Sequence, residues 1–222
     1  MSGMRKLCIV YDSRENYPLL WPATFYWRPD DTTTVFAVTV KRTRLKTADY
    51  FVDGHKRACL IERKAAVSEL RTNLFGAVRK RVNFLNSLDR MREESDNPYL
   101  FLDMTWKELC QDWDERGRPI LRYPVGLYSH LMQELFVRGI GLLGPIPART
   151  VSQRRLAGSF LLDVMLAHIY PRRSLSAYGV IGCEDGDSML VVTTGGRRRG
   201  DRLKALQFQK LQDHTNPRTT RT

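Results

Sequence analysis

Three side chains in the first third of the chain could carry out hydrolysis together. Asp49 opens a short apolar stretch that runs to Val52, and Glu62-Arg63-Lys64 closes the next one, which begins at Ala58. Between them stands Asp53-Gly54, a pair that favours a tight reversal between two strands. In an extended chain, residues two apart project from one face, so Glu62 and Lys64 point the same way. Hairpin pairing can bring Asp49 beside Glu62. Two carboxylates and an ammonium converging at a sheet edge suit phosphodiester hydrolysis. Carboxylate oxygens hold hard cations such as Mg²⁺, and a bound cation lowers the pKa of a water and shields the phosphate. An ammonium orients that water or stabilises developing negative charge. Taken alone, an Asp…Glu-x-Lys spacing is common, and it reads more readily as a surface ion pair of Glu62 with Lys64 or Arg63.

The surrounding elements decide whether these residues can meet. Leu7–Tyr11 is a buried strand followed at once by Asp12-Ser13-Arg14-Glu15. Residues 16–34 are rich in Pro, Trp and Asp, and predict a turn or short helix with a loop. Residues 35–45 alternate and are rich in Val and Thr, which predicts a strand. Residues 65–91 predict one long helix, with Val67, Leu70, Leu74, Val78, Leu85 and Leu88 on a single stripe and Gly76 a mild flaw. Tyr99–Met104 is another buried strand. Thr105–Trp113 is a helix with Thr105 as cap and Glu108 three residues on. The order is that of an α/β fold: a mixed central sheet flanked by helices.

Downstream, residues 114–124 are polar and carry Gly117, Pro119 and Pro124, which predicts a linker. Residues 125–137 and 150–169 predict helices around a Gly/Pro loop at 139–147, and residues 177–181 with 189–193 a hairpin. The expected organisation is a core over 1–113, a linker over 114–124, a helical appendage over 125–171, and a basic, partly flexible region over 172–222. That last region has 10 Lys and Arg against 5 Asp and Glu, which makes it an electrostatic arm.

Composition narrows the class of partner. The 222 residues carry a formal net charge of +12, an excess that favours polyanions, nucleic acid first. No run of about 18 apolar residues predicts a membrane span. The N-terminus lacks signal-peptide architecture, so the expected location is intracellular: cytoplasm or nucleoid in a bacterial or phage setting, nucleus in a eukaryotic one. Cys8, Cys59, Cys110 and Cys183 are scattered without a Cys-x-x-Cys pair, which predicts reduced thiols and no zinc site.

The motifs Asp12-Ser13-Arg14-Glu15, Ala48-Asp49-Tyr50 and Ile61-Glu62-Arg63-Lys64 occur in that order, each at a strand end. They resemble the VDxRE, GDY and (V/I)ERK signatures of the ERCC4/XPF-type nucleases, a branch of the PD-(D/E)xK superfamily, over residues 6–112. The resemblance implies a restriction-endonuclease-like core and a Mg²⁺-dependent endonuclease, with Mn²⁺ as substitute. It implies DNA as substrate, branched or junction DNA in particular, in repair, recombination or phage DNA metabolism. It makes Asp49 and Glu62 the metal ligands and Lys64 the catalytic lysine. Arg63 becomes a structural or phosphate-facing partner. Asp12, Arg14 and Glu15 would line the same pocket, with Glu15 nearer the metal.

The chain also departs from the family pattern. Ala48 stands at the motif's Gly. Ser68, with Glu69 beside it, stands where an Asp is usual. The tandem helix-hairpin-helix domain of larger members has no evident counterpart, so the chain resembles compact ERCC4-domain proteins of phages or mobile elements, and homodimerisation follows by analogy only. Inactive ERCC4-type domains also serve as partners of active subunits, and a DNA-binding module of that kind is the alternative reading. Arg79, Lys80 and Arg81 on the long helix, and Arg197, Arg198 and Arg199 near the C-terminus, are candidate phosphate contacts.

Overall fold

Alternation along two adjacent strands sets the layering. In the computed structural model, which describes residues 4–28, 33–110 and 126–170, strand β5 (Leu60–Lys64) lies parallel to β6 (Pro98–Leu102). Leu60, Leu100 and Leu102 join one apolar cluster, while Ile61, Tyr99 and Phe101 join another. All five residues of β6 are buried, as expected of a strand covered on both faces. The first cluster is completed by helices α1 (Val67–Phe75), α2 (Val78–Glu94), α3 (Trp106–Cys110) and α4 (Leu127–Arg138), through Leu70, Leu74, Leu88, Leu109 and Leu131 among others. The second is completed by α5 (Val151–Ile169), which buries Ala157, Leu161, Leu162 and Met165. The result is a mixed seven-stranded sheet between two helical layers.

The remaining strands are β1 (Arg5–Asp12), β2 (Thr24–Trp27), β3 (Thr34–Thr43), β4 (Tyr50–Val52) and β7 (Gly141–Leu143). The order across the sheet is β2-β3-β1-β4-β5-β6-β7. β1 is parallel to β3 and antiparallel to β4, and β4 is antiparallel to β5, with Tyr50 opposite Ile61. The reversal expected at Asp53-Gly54 is made by two successive turns, closed by His55 N–H to the Val52 carbonyl and Ala58 N–H to the His55 carbonyl, each at 2.9 Å.

Four expectations need correction. The long helix over 65–91 is two helices, broken at Gly76-Ala77. Ala77 takes extended ψ (141°), and a Cβ on Gly76 would meet the Thr72 carbonyl oxygen at 2.3 Å. The break resets the helical phase, so Val78, expected on the buried stripe, is 78% exposed, and Phe84, Leu88 and Met91 face the core. Part of segment 16–34 is a strand, since Thr24–Trp27 pairs antiparallel with β3. Part of the loop at 139–147 is also a strand: Gly141–Leu143 pairs parallel with β6, and a Cβ at Gly141 would lie 2.3 Å from the Tyr99 ring. The described residues of the expected helical appendage are not set apart, because β7 extends the sheet and α5 covers one of its faces. The linker over 114–124 and the hairpin in 177–193 lie outside the described residues.

The cap expected at Thr105 is present. Thr105 and Glu108 form a reciprocal cap, with Thr105 N–H donating to Glu108 Oε2 at 2.8 Å and Glu108 N–H to Thr105 Oγ1 at 3.2 Å. Thr150 and Gln153 form a capping box at the start of α5. Cys8, Cys59 and Cys110 are free thiols. No helix among the described residues is long and apolar enough to cross a membrane.

α5 approaches the 19–20 segment so closely that a Cβ on Gly158 would lie 2.3 Å from the Leu20 carbonyl oxygen. Gly158→Ala gains about 1 kcal/mol of helix propensity, but backbone must move to admit the methyl, and overpacking of this kind costs about 1–3 kcal/mol. The variant is expected to melt below wild type in thermal denaturation, and an unchanged or higher midpoint would refute this reading of the contact.

Candidate active site

Backbone bonding places Asp49 before any side chain is considered. Its N–H donates to the Ile61 carbonyl at 2.9 Å, and its carbonyl accepts from Asp12 N–H at 2.9 Å, so the residue is pinned between β5 and the end of β1. Its carboxylate Oδ2 then accepts the N–H of Arg63 at 2.7 Å. Ala48, just before it, has φ of 60°, in the left-handed region that costs a non-glycine residue about 1–2 kcal/mol. This is the position where the resembled motif has Gly, and the backbone there takes a conformation that Gly adopts freely.

Glu62 and Lys64 share a face of β5, as their spacing predicts. Lys64 Nζ lies 2.8 Å from Glu62 Oε1 and 2.9 Å from Glu69 Oε1 on α1. Glu69, rather than Ser68, thus faces the lysine. Lys64 is buried, with Nζ 5.6 Å from the centre of the Phe84 ring. Asp49, Glu62, Lys64, Glu69, Glu15 and Arg90 all line one cleft of about 330 Å³.

Arg63 alternates to the other face, where it is a structural partner. Its guanidinium donates to Asp103 Oδ2 at 2.5 Å, to Glu15 Oε2 at 2.8 Å and to the Tyr17 carbonyl at 2.6 Å. Tyr50 Oη also donates to Glu15 Oε2, at 3.3 Å, so Glu15 reaches the cleft already held from two sides. Asp12 does not line the cleft. It is fully buried and bonded to the backbone and side chain of Arg14, whose guanidinium also donates to the Leu45 carbonyl. Its part is to hold the turn that carries Arg14 and Glu15.

The electrostatics follow from this crowding. Burial, and next the charge of Glu62, push the Asp49 carboxyl well above the usual range, against the pull of the Arg63 N–H. Burial alone would lower Lys64, but the Glu62 and Glu69 carboxylates outweigh it and hold the ammonium above its ordinary value. Burial would likewise raise Asp12, and the hydrogen bonds and charge of Arg14 bring it below its ordinary value instead.

Among the described residues no group of three or more His, Cys, Asp or Glu is placed to hold a metal ion. A Mg²⁺-type ion asks for less, since one or two carboxylates with waters and substrate phosphate satisfy it. Asp49 and Glu62 fit that donor set, because both line one cleft, and the burial and Glu62 charge that raise Asp49 are what a cation there would offset.

Of the basic triplet on α2, Lys80 lines a groove next to the cleft, Arg81 pairs with Glu134 of α4 at 3.3 Å, and Arg79 is exposed outside both. Arg197, Arg198 and Arg199 lie outside the described residues. Sequence reasoning missed Asp103, whose Oδ2 binds Arg63 and whose Oδ1 accepts the N–H of Ala148. The signal was present, because Asp103 directly follows the apolar run Tyr99–Leu102, on the strand beside β5.

No family model matches the chain, and no curated protein matches it. Among solved structures it is similar to XPF from Aeropyrum pernix, with a TM-score of 0.45 and 14% identity over 80% of this chain and 68% of that one. It is also similar to XPF from Aeropyrum pernix in complex with DNA, with a TM-score of 0.45 and 16% identity over 76% and 68% of the two chains.

Two outcomes follow from the site's charges. Asp49 held above its ordinary value keeps a proton that the unfolded chain has released, so its contribution to stability falls as pH rises above the usual aspartate range. In EDTA, wild type is expected to lose stability relative to Asp49→Asn as pH rises above the usual aspartate range, and parallel pH dependence of melting for the two would contradict this. Removing one partner of a buried pair costs about 3–5 kcal/mol. Asp103→Ala is therefore expected to destabilise by about that much in urea unfolding, and a loss under about 1 kcal/mol would show that Glu15 and Tyr17 suffice to hold Arg63.

Proposed function

We propose that this chain is a divalent-metal-dependent endonuclease that hydrolyses phosphodiester bonds in DNA, with a preference for branched or junction structures. The observation that carries the reading is the convergence of Asp49, Glu62 and Lys64 on one cleft, with the lysine ammonium 2.8 Å from the glutamate. The ordered motifs and the net charge of +12 support it. Asp49 and Glu62 would hold Mg²⁺, or Mn²⁺ in its place. Such an ion, when bound, supplies an activated water and shields the phosphate charge.

The rest of the chemistry belongs to the chain. Lys64 stays protonated through neutral pH, so it serves as a positive charge toward a phosphoryl oxygen or the attacking water and not as a base. Glu62 and Glu69 fix where that charge sits. Arg63 sets the end of β5, and with it the direction in which Glu62 and Lys64 project. The preference for junctions, and a place in repair, recombination or phage DNA metabolism, come from the family resemblance.

The test is cleavage of labelled duplex, single-stranded, flap and four-way-junction DNA in Mg²⁺ and in EDTA, with wild type beside Glu62→Ala. Cutting is expected in Mg²⁺ only, with loss of about a hundredfold or more in the variant. A folded Glu62→Ala protein that cuts as fast as wild type would falsify the site assignment. Binding without cutting by wild type in Mg²⁺ would favour an inactive module that partners an active subunit.

A further inference from the structure

The cleft does not end at Lys64. A second groove of about 280 Å³ adjoins it, sharing Lys64, Glu69 and Ser87, and is lined further by Asn73, Lys80 and Asn83. On α2, Lys80, Asn83, Ser87 and Arg90 fall at intervals of three, four and three, so they form one polar face. Phe84, Leu88 and Met91 are buried about a quarter turn around the same helix. The four positions span ten residues, or about 15 Å of helix. At about 3.4 Å per nucleotide of one strand, that is on the order of four nucleotides. Arg90 reaches the carboxylate cleft, and Lys80 lies at the far end of the adjoining groove.

We propose that this face of α2, with Asn73 across from it, is a track that carries the sugar-phosphate backbone of a DNA strand past Lys64. The proposal rests on the nuclease reading and names how that site holds its substrate. The lining chemistry selects backbone over bases. Lys80 and Arg90 supply charge for phosphates, and the Asn83 and Asn73 amides supply N–H donors. The one aromatic ring in the groove, Phe84, is 4% exposed and lies against Lys64, so no stacking platform for an unpaired base is offered there. The Ser87 hydroxyl donates back to the Phe84 carbonyl at 2.7 Å, which leaves the lysine, arginine and amides as the contacts. The track also separates neighbours in sequence. Lys80 contributes to it, while Arg79 and Arg81, one residue to either side, do not line it.

The experiment is fluorescence anisotropy of labelled flap DNA in EDTA across a salt series, for wild type, Lys80→Ala, Asn83→Ala and Arg79→Ala. All three positions are exposed, so the variants keep the fold. Lys80→Ala is expected to weaken binding about tenfold and to lower the salt slope by about one. Asn83→Ala is expected to weaken it about threefold with the slope unchanged. Arg79→Ala removes the same charge from the same turn and is expected to change affinity less than about twofold. Equal losses for Arg79→Ala and Lys80→Ala would mean a diffuse positive field, and the track would be wrong while Mg²⁺-dependent cutting could still stand. The expected pattern in a chain that never cuts would sink the nuclease reading and keep the track. Absence of binding by wild type would remove the track, and cutting in Mg²⁺ would decide the nuclease reading separately.

Discussion

The buried guanidinium of Arg63 is the constraint on which the site depends. An unpaired charge inside a protein is costly, and it is tolerated only where partners and hydrogen bonds surround it. Arg63 has Asp103 from the next strand, Glu15 from the turn after β1 and the carbonyl of Tyr17. The partners come from two separate parts of the chain, the stretch after β1 and the end of β6, so satisfying one cation closes β1, β5 and β6 around a common point. Glu62 and Lys64 inherit their direction from it, because neighbours on a strand must project from the opposite face.

The opposite face carries the complementary problem. A chain with a surplus of positive charge gathers Asp49, Glu62 and Glu69 around a single ammonium. Lys64 gains from that crowding and Asp49 loses. The cleft is accordingly a place where folding has accepted unfavourable local electrostatics, in line with the general observation that functional sites run against stability. The left-handed backbone at Ala48 adds a second local cost one residue away from the carboxylate it positions.

Much of this arrangement was legible from the residues. The period of two on β5 put Glu62 and Lys64 together, the apolar runs located β1, β3 and β6, and Thr105 with Glu108 announced a helix start. What escaped had physical reasons. The break at Gly76-Ala77 hid because helix formers flank it and the apolar stripe continues across it in sequence while changing phase in space. β7 is three residues long, too short for any period to register, and it is a strand because β6 offers it an edge. Asp103 has no motif of its own, and its meaning comes only from Arg63 on the neighbouring strand. The turn of Glu69 toward Lys64, in place of Ser68, depended on where α1 begins, which a residue pattern locates only to within a residue or two.

Asp103 has a second partner with a different bearing. One carboxylate oxygen holds Arg63 and the other holds the backbone of Ala148, just ahead of α5. The strand that bears the cleft is therefore fastened to a stretch of chain that arrives nearly a hundred residues after Asp49. Parallel neighbours such as β5, β6 and β7 close only after long connections, and such non-local closures come late in folding. As the chain leaves the ribosome, the motif residues are all made long before the fastening that steadies them. The cleft is thus steadied only once Ala148 has been made, and is not inherited from the segment that spells it.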